Sequence, residues 1–410
     1  MNKVELLAPA GNFLKMQTAL AHGADAVYLG IPDFSLRVRI NDFNLESLAT
    51  AINYVHNKKK KIYITVNIFA HNHHLKSLPS YLKKINKLSP DALIISDPGI
   101  ITLVQKYCPK IDIHLSTQAN CTNYEAVKFW YRQGVRRIIL GREVSLEEIR
   151  EIKEKCPKME LEYFAHGAMC MAYSGRCFLS KELVDRSANL GDCVQPCRWE
   201  YDVILRASGH QEEFELVNET HGSYLLNSKD LCLIQYLKDL KRAGVTSFKI
   251  EGRAKSVYYL ANVVGIYKKA LKEPTKAKAL ERELKEKLTH RGYTTGFLVG
   301  KKGEQNINNS HFIPSWEFCG QVMKSQVKKT SKAYLNNILV KVHNTIKVGD
   351  TVEIVSPYYK VLKVKIKKIL DSITKIELPK AHGGGGGQEI ILEVSAPYKI
   401  AELSVLRRKL

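Results

Sequence analysis

Eight short apolar runs punctuate roughly the first 250 residues, and the spaces between them carry a different period. The runs are 4–8 (VELLA), 26–30 (AVYLG), 62–67 (IYITVN), 92–96 (ALIIS), 111–116 (IDIHLS), 137–140 (RIIL), 161–166 (LEYFAH) and 247–252 (SFKIEG). After each of the first six, apolar residues recur every three or four positions, which predicts helices near 12–22, 45–58, 75–88, 100–107, 124–133 and 146–155. Another helix is expected after the eighth run, near 258–271. Strands that alternate with helices run parallel, because each return needs a crossover on one face of the sheet. Eight such units over this length predict an α/β fold, a (β/α)8 barrel of the TIM type, with an insertion at about 167–245 after the seventh strand. Within that insertion WEYDVILRASG and FELVNE alternate as the two arms of a hairpin.

Beyond HRGYTTGFLVGKKGE, which reads as a linker, the pattern changes to strand alternation: GQVMKSQ, NILVKVH, GDTVEIVSP, VLKVKIKKIL, TKIELP and QEIILEV, each bounded by turn residues. Many short strands with turns between them predict a small antiparallel β-barrel. The expected domains are therefore 1–300, a catalytic barrel, and 301–410, a β-barrel. HGGGGGQ inside the second domain is read as a flexible loop; it lacks the Lys and Ser/Thr that a phosphate-binding loop needs after its glycines.

A TIM-type barrel does its chemistry at the C-terminal ends of its strands. The polar residues falling there include Asn67, Asp97, Ser116, Gln118, Asn120, Arg142, Glu143, His166, Glu251 and Arg253. Arg37, Arg39, Arg142, Arg253 and Lys255 follow strands and could hold phosphates or carboxylates, which guanidinium forks bind in pairs; ion pairing with Glu143 or Glu251 is the plainer use. His166, Asp97 and Glu251 are the candidates for proton transfer. Tyr173, Trp199, Tyr224 and Tyr258 could stack on a base, although core packing is the plainer use for any one of them.

Composition adds two constraints. The chain has 410 residues, 45% of them hydrophobic and 25% charged, with no apolar run long enough for a membrane span. No secretory signal is read at MNKVELLAPAGN, so a cytoplasmic protein with reduced thiols is expected. The net charge of +22 favours a polyanionic partner, and residues 301–410, with 19 basic against 9 acidic side chains, are the more densely basic part.

The cysteines are distributed unevenly. Five of nine lie between Cys170 and Cys232, spaced C-x6-C, x15, C-x3-C, with the fifth 35 residues further on. They sit among Gly, Ser, Asp, Arg and Gln, unlike Cys108 and Cys156, which lie in apolar periodic stretches as buried thiols do. A disulfide set suits short secreted chains. A metal site suits soft thiolates; zinc prefers short C-x2-4-C pairs, of which only Cys193 and Cys197 are one, and longer uneven spacing suits an iron–sulfur cluster.

The stretch EYFAHGAMCMAYSGRCFLS (162–180) resembles the signature of the collagenase-like peptidase family. LLAPAGN, SLRVR, ISDPG, HLSTQANCTN, GDCVQPCRWEY, NSKDLC, FKIEGRAKS and HRGYTTGF resemble further family segments in order, over nearly the whole chain. The likeness is greatest to the branch that hydroxylates tRNA uridine. It implies a tRNA-modifying enzyme: oxygen-independent, prephenate-dependent 5-hydroxylation of the wobble uridine. It also implies a 4Fe–4S cluster on Cys170, Cys177, Cys193 and Cys232, with Cys197 the spare or alternative ligand. The partners expected are tRNA, a small dicarboxylate co-substrate (prephenate) and an electron donor of unspecified kind, with no membrane. Two alternatives remain open: a peptidase, for which the chain offers no G-x-S-x-G and no H-E-x-x-H, and a non-catalytic RNA-binding protein with a structural metal.

Overall fold

The computed structural model describes residues 4–36, 42–170, 172–173, 176–201, 204–206, 213–215, 226–300, 304–306, 310–329, 334–384 and 387–410. Arg37, Arg39 and Tyr224 lie outside the described residues, as do two of the five glycines of HGGGGGQ. The chain forms two compact units: Met1–Phe13, Asp25–Ala254 and Thr289–Phe312 make the first; Leu14–Ala24, Lys255–Leu288 and Ile313–Leu410 make the second.

In the first unit the predicted runs become parallel strands: β1 (Glu5–Pro9), β2 (Ala26–Leu29), β3 (Lys61–Val66), β4 (Ala92–Ile95), β5 (Asp112–Leu115), β6 (Arg137–Ile139) and β7 (Glu160–Gly167). Each pairs with the next in register, for example Leu7 with Ala26, Ile64 with Leu93 and Ile138 with Leu161. In chain order the helices that follow the first six strands are α1 (Phe13–His22), which from Leu14 onward belongs to the second unit, and α2 (Leu45–Asn57), α3 (Asn72–Leu88), α4 (Pro98–Tyr107), α5 (Tyr124–Arg132) and α6 (Leu146–Lys155). Local chemistry starts them. The Asn44 side chain accepts from Ser47 N–H at 2.8 Å, Asn123 from Ala126 N–H at 2.9 Å, and Ser145 and Glu148 cap one another. His71–His74 form the start of α3, with His71 as its cap: the His71 N–H donates to His74 Nδ1 at 3.0 Å.

After β7 come α7 (Leu179–Val184), the antiparallel pair β8 (Ile204–Arg206) and β9 (Glu213–Glu215), then β10 (Asp230–Cys232) and α8 (Leu237–Arg242), which leads into β11 (Val245–Ile250). β11 pairs with β7 on one side and β1 on the other, which closes the eight-stranded parallel barrel. The insertion thus holds the expected hairpin. Strand β10 runs antiparallel to β7, placing Cys232 opposite His166. Part of the stretch read as a linker is structured: β12 (Tyr293–Thr294) pairs with β10, and buried Arg291 binds Asp230 at 2.5 Å.

The barrel interior is not uniformly apolar. Arg137 on β6 reaches Glu5 on β1 at 2.6 Å and Glu162 on β7 at 3.2 Å. Lys249 on β11 reaches the other Glu162 oxygen at 2.8 Å, and Tyr63 and Ser247 donate to Glu5. Burying these ions is tolerable because each has several partners.

The second unit holds α9 (Val257–Lys272), α10 (Ala277–Lys287) and an antiparallel half-barrel. Its strands are β13 (Trp316–Lys329), β14 (Tyr334–Val342), β16 (Thr351–Ser356), β17 (Lys360–Lys365), β18 (Ile369–Asp371), β20 (Glu389–Ala396) and β21 (Val405–Lys409), in the order β17-β16-β21-β13-β14-β20-β18. A separate small pair joins β15 (Ile346–Lys347) to β19 (Lys380–Ala381). Alternation decides which side faces in: Ile338 and Val340 on β14 meet Leu392 and Ile390 on β20 inside one apolar core. Two expectations fail here. TKIELP forms no strand, because Asp371 folds the chain into a turn by accepting from the Ile373 and Thr374 N–H groups at 3.0 and 2.8 Å. VLKVKIKKIL splits into β17 and β18.

The units also divide the chain differently from a single cut at residue 300. Side chains outside 313–410 complete this unit. Gln321 donates to Thr18 at 2.9 Å, His22 Nε2 lies 3.0 Å from the Leu403 carbonyl, and fully buried Arg407 contacts Asn262, Glu283 and Glu353.

Candidate active site at the mouth of the barrel

The strand ends of the first unit surround a cavity of about 140 Å³. Six of the strand-end candidates line it: Asn67 after β3, Ser116 and Gln118 after β5, Arg142 after β6, and Glu251 and Arg253 after β11; Cys170 joins them from the end of β7. The amides form one wall and hold each other. Asn67 Nδ2 donates to Gln118 Oε1 at 2.5 Å, Gln118 Nε2 to the Asn67 carbonyl at 3.1 Å, and Ser116 to Gln118 Oε1 at 2.9 Å. That wall is rigid.

Cations line the cavity as well. Arg253 donates to the hydroxyls of Ser35 (3.0 Å) and Thr65 (3.3 Å), themselves 2.5 Å apart. Gly30 makes this cradle possible, since a Cβ there would lie 2.2 Å from Ser35 Oγ and 2.3 Å from Thr65 Oγ1. The Arg142 guanidinium lies 3.9 Å from the centroid of the Phe164 ring. Gly167, at φ +114°, is likewise required: a Cβ would come within 2.7 Å of Glu251.

Other candidates fall elsewhere. Asp97 caps α4, accepting from Ile100 N–H at 2.9 Å, and does not line the cavity. His166 is 1% exposed, with its ring against Tyr293, also away from the cavity wall. Lys255 and Tyr258 belong to the second unit, where Lys255 lies over the Tyr259 ring and Tyr258 packs on Phe318 and donates to the Lys287 carbonyl. Tyr258 is a core residue. Tyr173 and Trp199 are exposed (60% and 39%) in the cysteine stretch, as stacking surfaces would be.

The sequence reading missed Lys249, which lines the cavity, and Tyr28, Phe164, Ser35 and Thr65, which shape it. A signal for Lys249 exists: it is the one charged residue in the apolar run SFKI. Burial lowers the Lys249 pKa; Glu162 opposes that, and Arg253 and Arg137 add to it.

All nine cysteines are free thiols. Cys170 is exposed, Cys177, Cys193 and Cys197 are half-buried, and Cys232 is buried on β10. Burial raises the Cys197 pKa, and the nearby charges of Cys170, Cys193 and Cys177 raise it further, so four of the five thiols share one neighbourhood. The Gln195 N–H points at Cys193 Sγ at 3.3 Å, a contact that suits a ligating sulfur. By donor type this set fits a thiolate-bound iron–sulfur group. Among the described residues, however, no three His, Cys, Asp or Glu side chains are drawn together at positions able to hold a metal ion. No helix among them is long and apolar enough to cross a membrane.

A family model described as peptidase family U32 matches residues 11–308. The tRNA hydroxylation protein P of Escherichia coli is 41% identical over 401 residues, 87% of each chain. Its namesake from Haemophilus influenzae is 39% identical over 416 residues, 90% of this chain and 89% of that one. The 23S rRNA 5-hydroxycytidine C2501 synthase of Escherichia coli is 35% identical over 315 residues, 74% of this chain and 46% of that one.

Proposed function

The chain belongs to peptidase family U32, and from that membership we propose that it is an RNA-modifying enzyme whose barrel mouth hydroxylates the wobble uridine of tRNA at C5. The observation that carries this reading is the identity, around 40% over nearly the full length, to two proteins named for tRNA hydroxylation. A peptidase would need an activated nucleophile. Cys170 reaches the cavity, but among the described residues no histidine lines it to take the thiol proton.

A wobble base is unpaired, so it can leave its stack and rest on exposed aromatics. Tyr173 and Trp199 offer such faces, and stacking contributes about 1–3 kcal/mol per base. Arg142 and Arg253 hold the carboxylates of a small co-substrate, prephenate in this reading; guanidinium forks bind carboxylates with two parallel bonds. Ser35 and Thr65 fix the Arg253 fork, and the Asn67–Gln118 wall limits how far the ligand can turn. Glu251, the one acidic residue on the cavity wall among the described residues, accepts the proton that leaves uridine C5 in this reading. Cys170, Cys177, Cys193 and Cys232 would hold a 4Fe–4S cluster with Cys197 spare; the neighbourhood that Cys170, Cys177 and Cys193 share with Cys197 supports three of these ligands, and the resemblance supplies Cys232 as the fourth. When bound, the cluster supplies an electron-transfer centre.

The test is nucleoside mass spectrometry of tRNA from a strain lacking this gene and every other uridine hydroxylase, complemented with plasmid copies. Wild-type protein restores 5-hydroxyuridine and its derivatives, and Arg253→Ala does not. Unchanged nucleosides with the wild-type copy would refute the reading.

A further inference from the structure

Lys249 stands apart from the other buried ions of the barrel. Arg137, Glu5 and Glu162 form a closed set beneath the cavity, and none of them lines it. Lys249 belongs to both places: Nζ is paired with Glu162 at 2.8 Å, and the residue is part of the cavity wall. A lysine serving only as a counter-ion would need no opening. Two aromatic rings fix its position relative to the arginines. Lys249 Nζ lies 4.3 Å from the Tyr28 centroid and 5.6 Å from that of Phe164. Arg142 covers the same Phe164 ring at 3.9 Å, and Arg253 faces the same Tyr28 ring at 5.8 Å. Lys249 thus shares one ring with each arginine and lines the same cavity as both.

We propose that Lys249 forms an imine with the carbonyl of a 2-oxo acid whose carboxylate is held by Arg142 and Arg253. Burial, with Arg253 and Arg137 adding to it, lowers the Lys249 pKa against the pull of Glu162, which brings the nucleophilic neutral amine within easier reach. Glu162, 2.8 Å away, takes the ammonium proton. The amine lone pair then forms a C–N bond as the carbonyl π bond breaks, and the oxygen recovers the proton from Glu162. Loss of that hydroxyl as water, carrying a second proton from nitrogen, leaves the protonated imine. The step converts ammonium and ketone into iminium and water, with no change of oxidation state. An iminium draws electrons from the adjoining carbons, so the covalent link would activate the co-substrate as well as retain it. The inference rests on the carboxylate-binding reading of the cavity and not on RNA being the substrate.

The experiment uses the full-length protein with pyruvate as probe and cyanoborohydride as reductant, followed by peptide mass spectrometry. No RNA or iron is required, so its failure is separable from failure of the hydroxylation assay. The expected result is a reduced carboxyethyl adduct on Lys249, lost in Arg253→Ala and absent from Lys249→Arg. Lys153 is the internal control: burial also lowers its pKa, but it sits on no arginine-lined cavity and donates to the Pro157 and Met159 carbonyls. Labelling of Lys153 as heavily as Lys249, or no label on Lys249 at saturating pyruvate, would overturn the proposal.

Discussion

Replacing Arg407 by methionine tests how the second unit is held together. The side chain is fully buried on β21. Its guanidinium meets Glu353 at 2.7 Å, Glu283 at 3.4 Å, Asn262 Oδ1 at 2.8 Å and the Tyr359 hydroxyl at 3.2 Å, with the Trp316 ring 5.3 Å away. Methionine keeps most of the volume and removes the charge, leaving two carboxylates with Lys287 as their remaining nearby cation. Removing one partner of a buried ion pair costs about 3–5 kcal/mol. Glu353 and Glu283 retain 18% and 31% side-chain exposure, and water can screen them in part, so the lower end applies: about 3 kcal/mol. For a unit of this size that corresponds to a fall in Tm of roughly 6–12 °C. Urea unfolding followed by tryptophan fluorescence, which includes Trp316 beside the site, measures the loss, and calorimetry checks it. A cost below about 1 kcal/mol would refute the reasoning, because that is the range of an exposed pair.

Burial holds the His22 pKa down at about 4, against which the carbonyls of Leu403 and Ala261 act only in part. The folded value lies below the unfolded one, so this contribution is complete above pH 6.5 and lost as pH falls toward 4. Between pH 7 and pH 5 His22 alone removes about 2 kcal/mol, and His22→Gln should flatten that part of the urea-stability profile; an unchanged slope would contradict it. Gly30→Ala puts a methyl group into the Ser35 and Thr65 hydroxyls that hold Arg253. It should raise the KM for the carboxylate co-substrate far more than it lowers the melting temperature, and an unaltered KM would show that the Arg253 cradle does not position the ligand.

The barrel was legible because its strands are buried on both faces. AVYL and ALII are apolar at every position, and each stretch that follows carries the helical period. Periodicity placed the starts of α2, α5 and α6 at 45, 124 and 146, where they lie, each directly after a capping residue: Asn44, Asn123 and Ser145. Strand β21 was missed for the same reason that Arg407 matters: SVLRRK places a charge in a core position, and only contacts far along the chain, with Asn262 and Glu283, make that burial tolerable. Lys249 and Glu162 escaped for a related reason. Each is a lone charge in an apolar run, and nothing local says that the two face each other across 87 residues. Conversely Ile376, apolar by type and exposed in the structure, made TKIELP look like a strand although Asp371 turns the chain just before it. Arg142, Arg253 and Glu251 were found from position alone, at the strand ends where a barrel exposes its chemistry. Exposure separated Tyr173 and Trp199 from Tyr258, and sequence carries no record of it.

The account depends most on the thiols around Cys197 holding iron. Protein purified without oxygen and reconstituted with ferrous iron and sulfide, then assayed for both and for visible absorbance, tests this directly. The prediction is about four iron and four sulfide per chain, with a broad band near roughly 400 nm. That signal should survive in Cys197→Ser and be lost in the Ser variants of Cys170, Cys177, Cys193 and Cys232. Colourless protein carrying zinc or no metal, or loss of iron only when Cys197 is replaced, would contradict it.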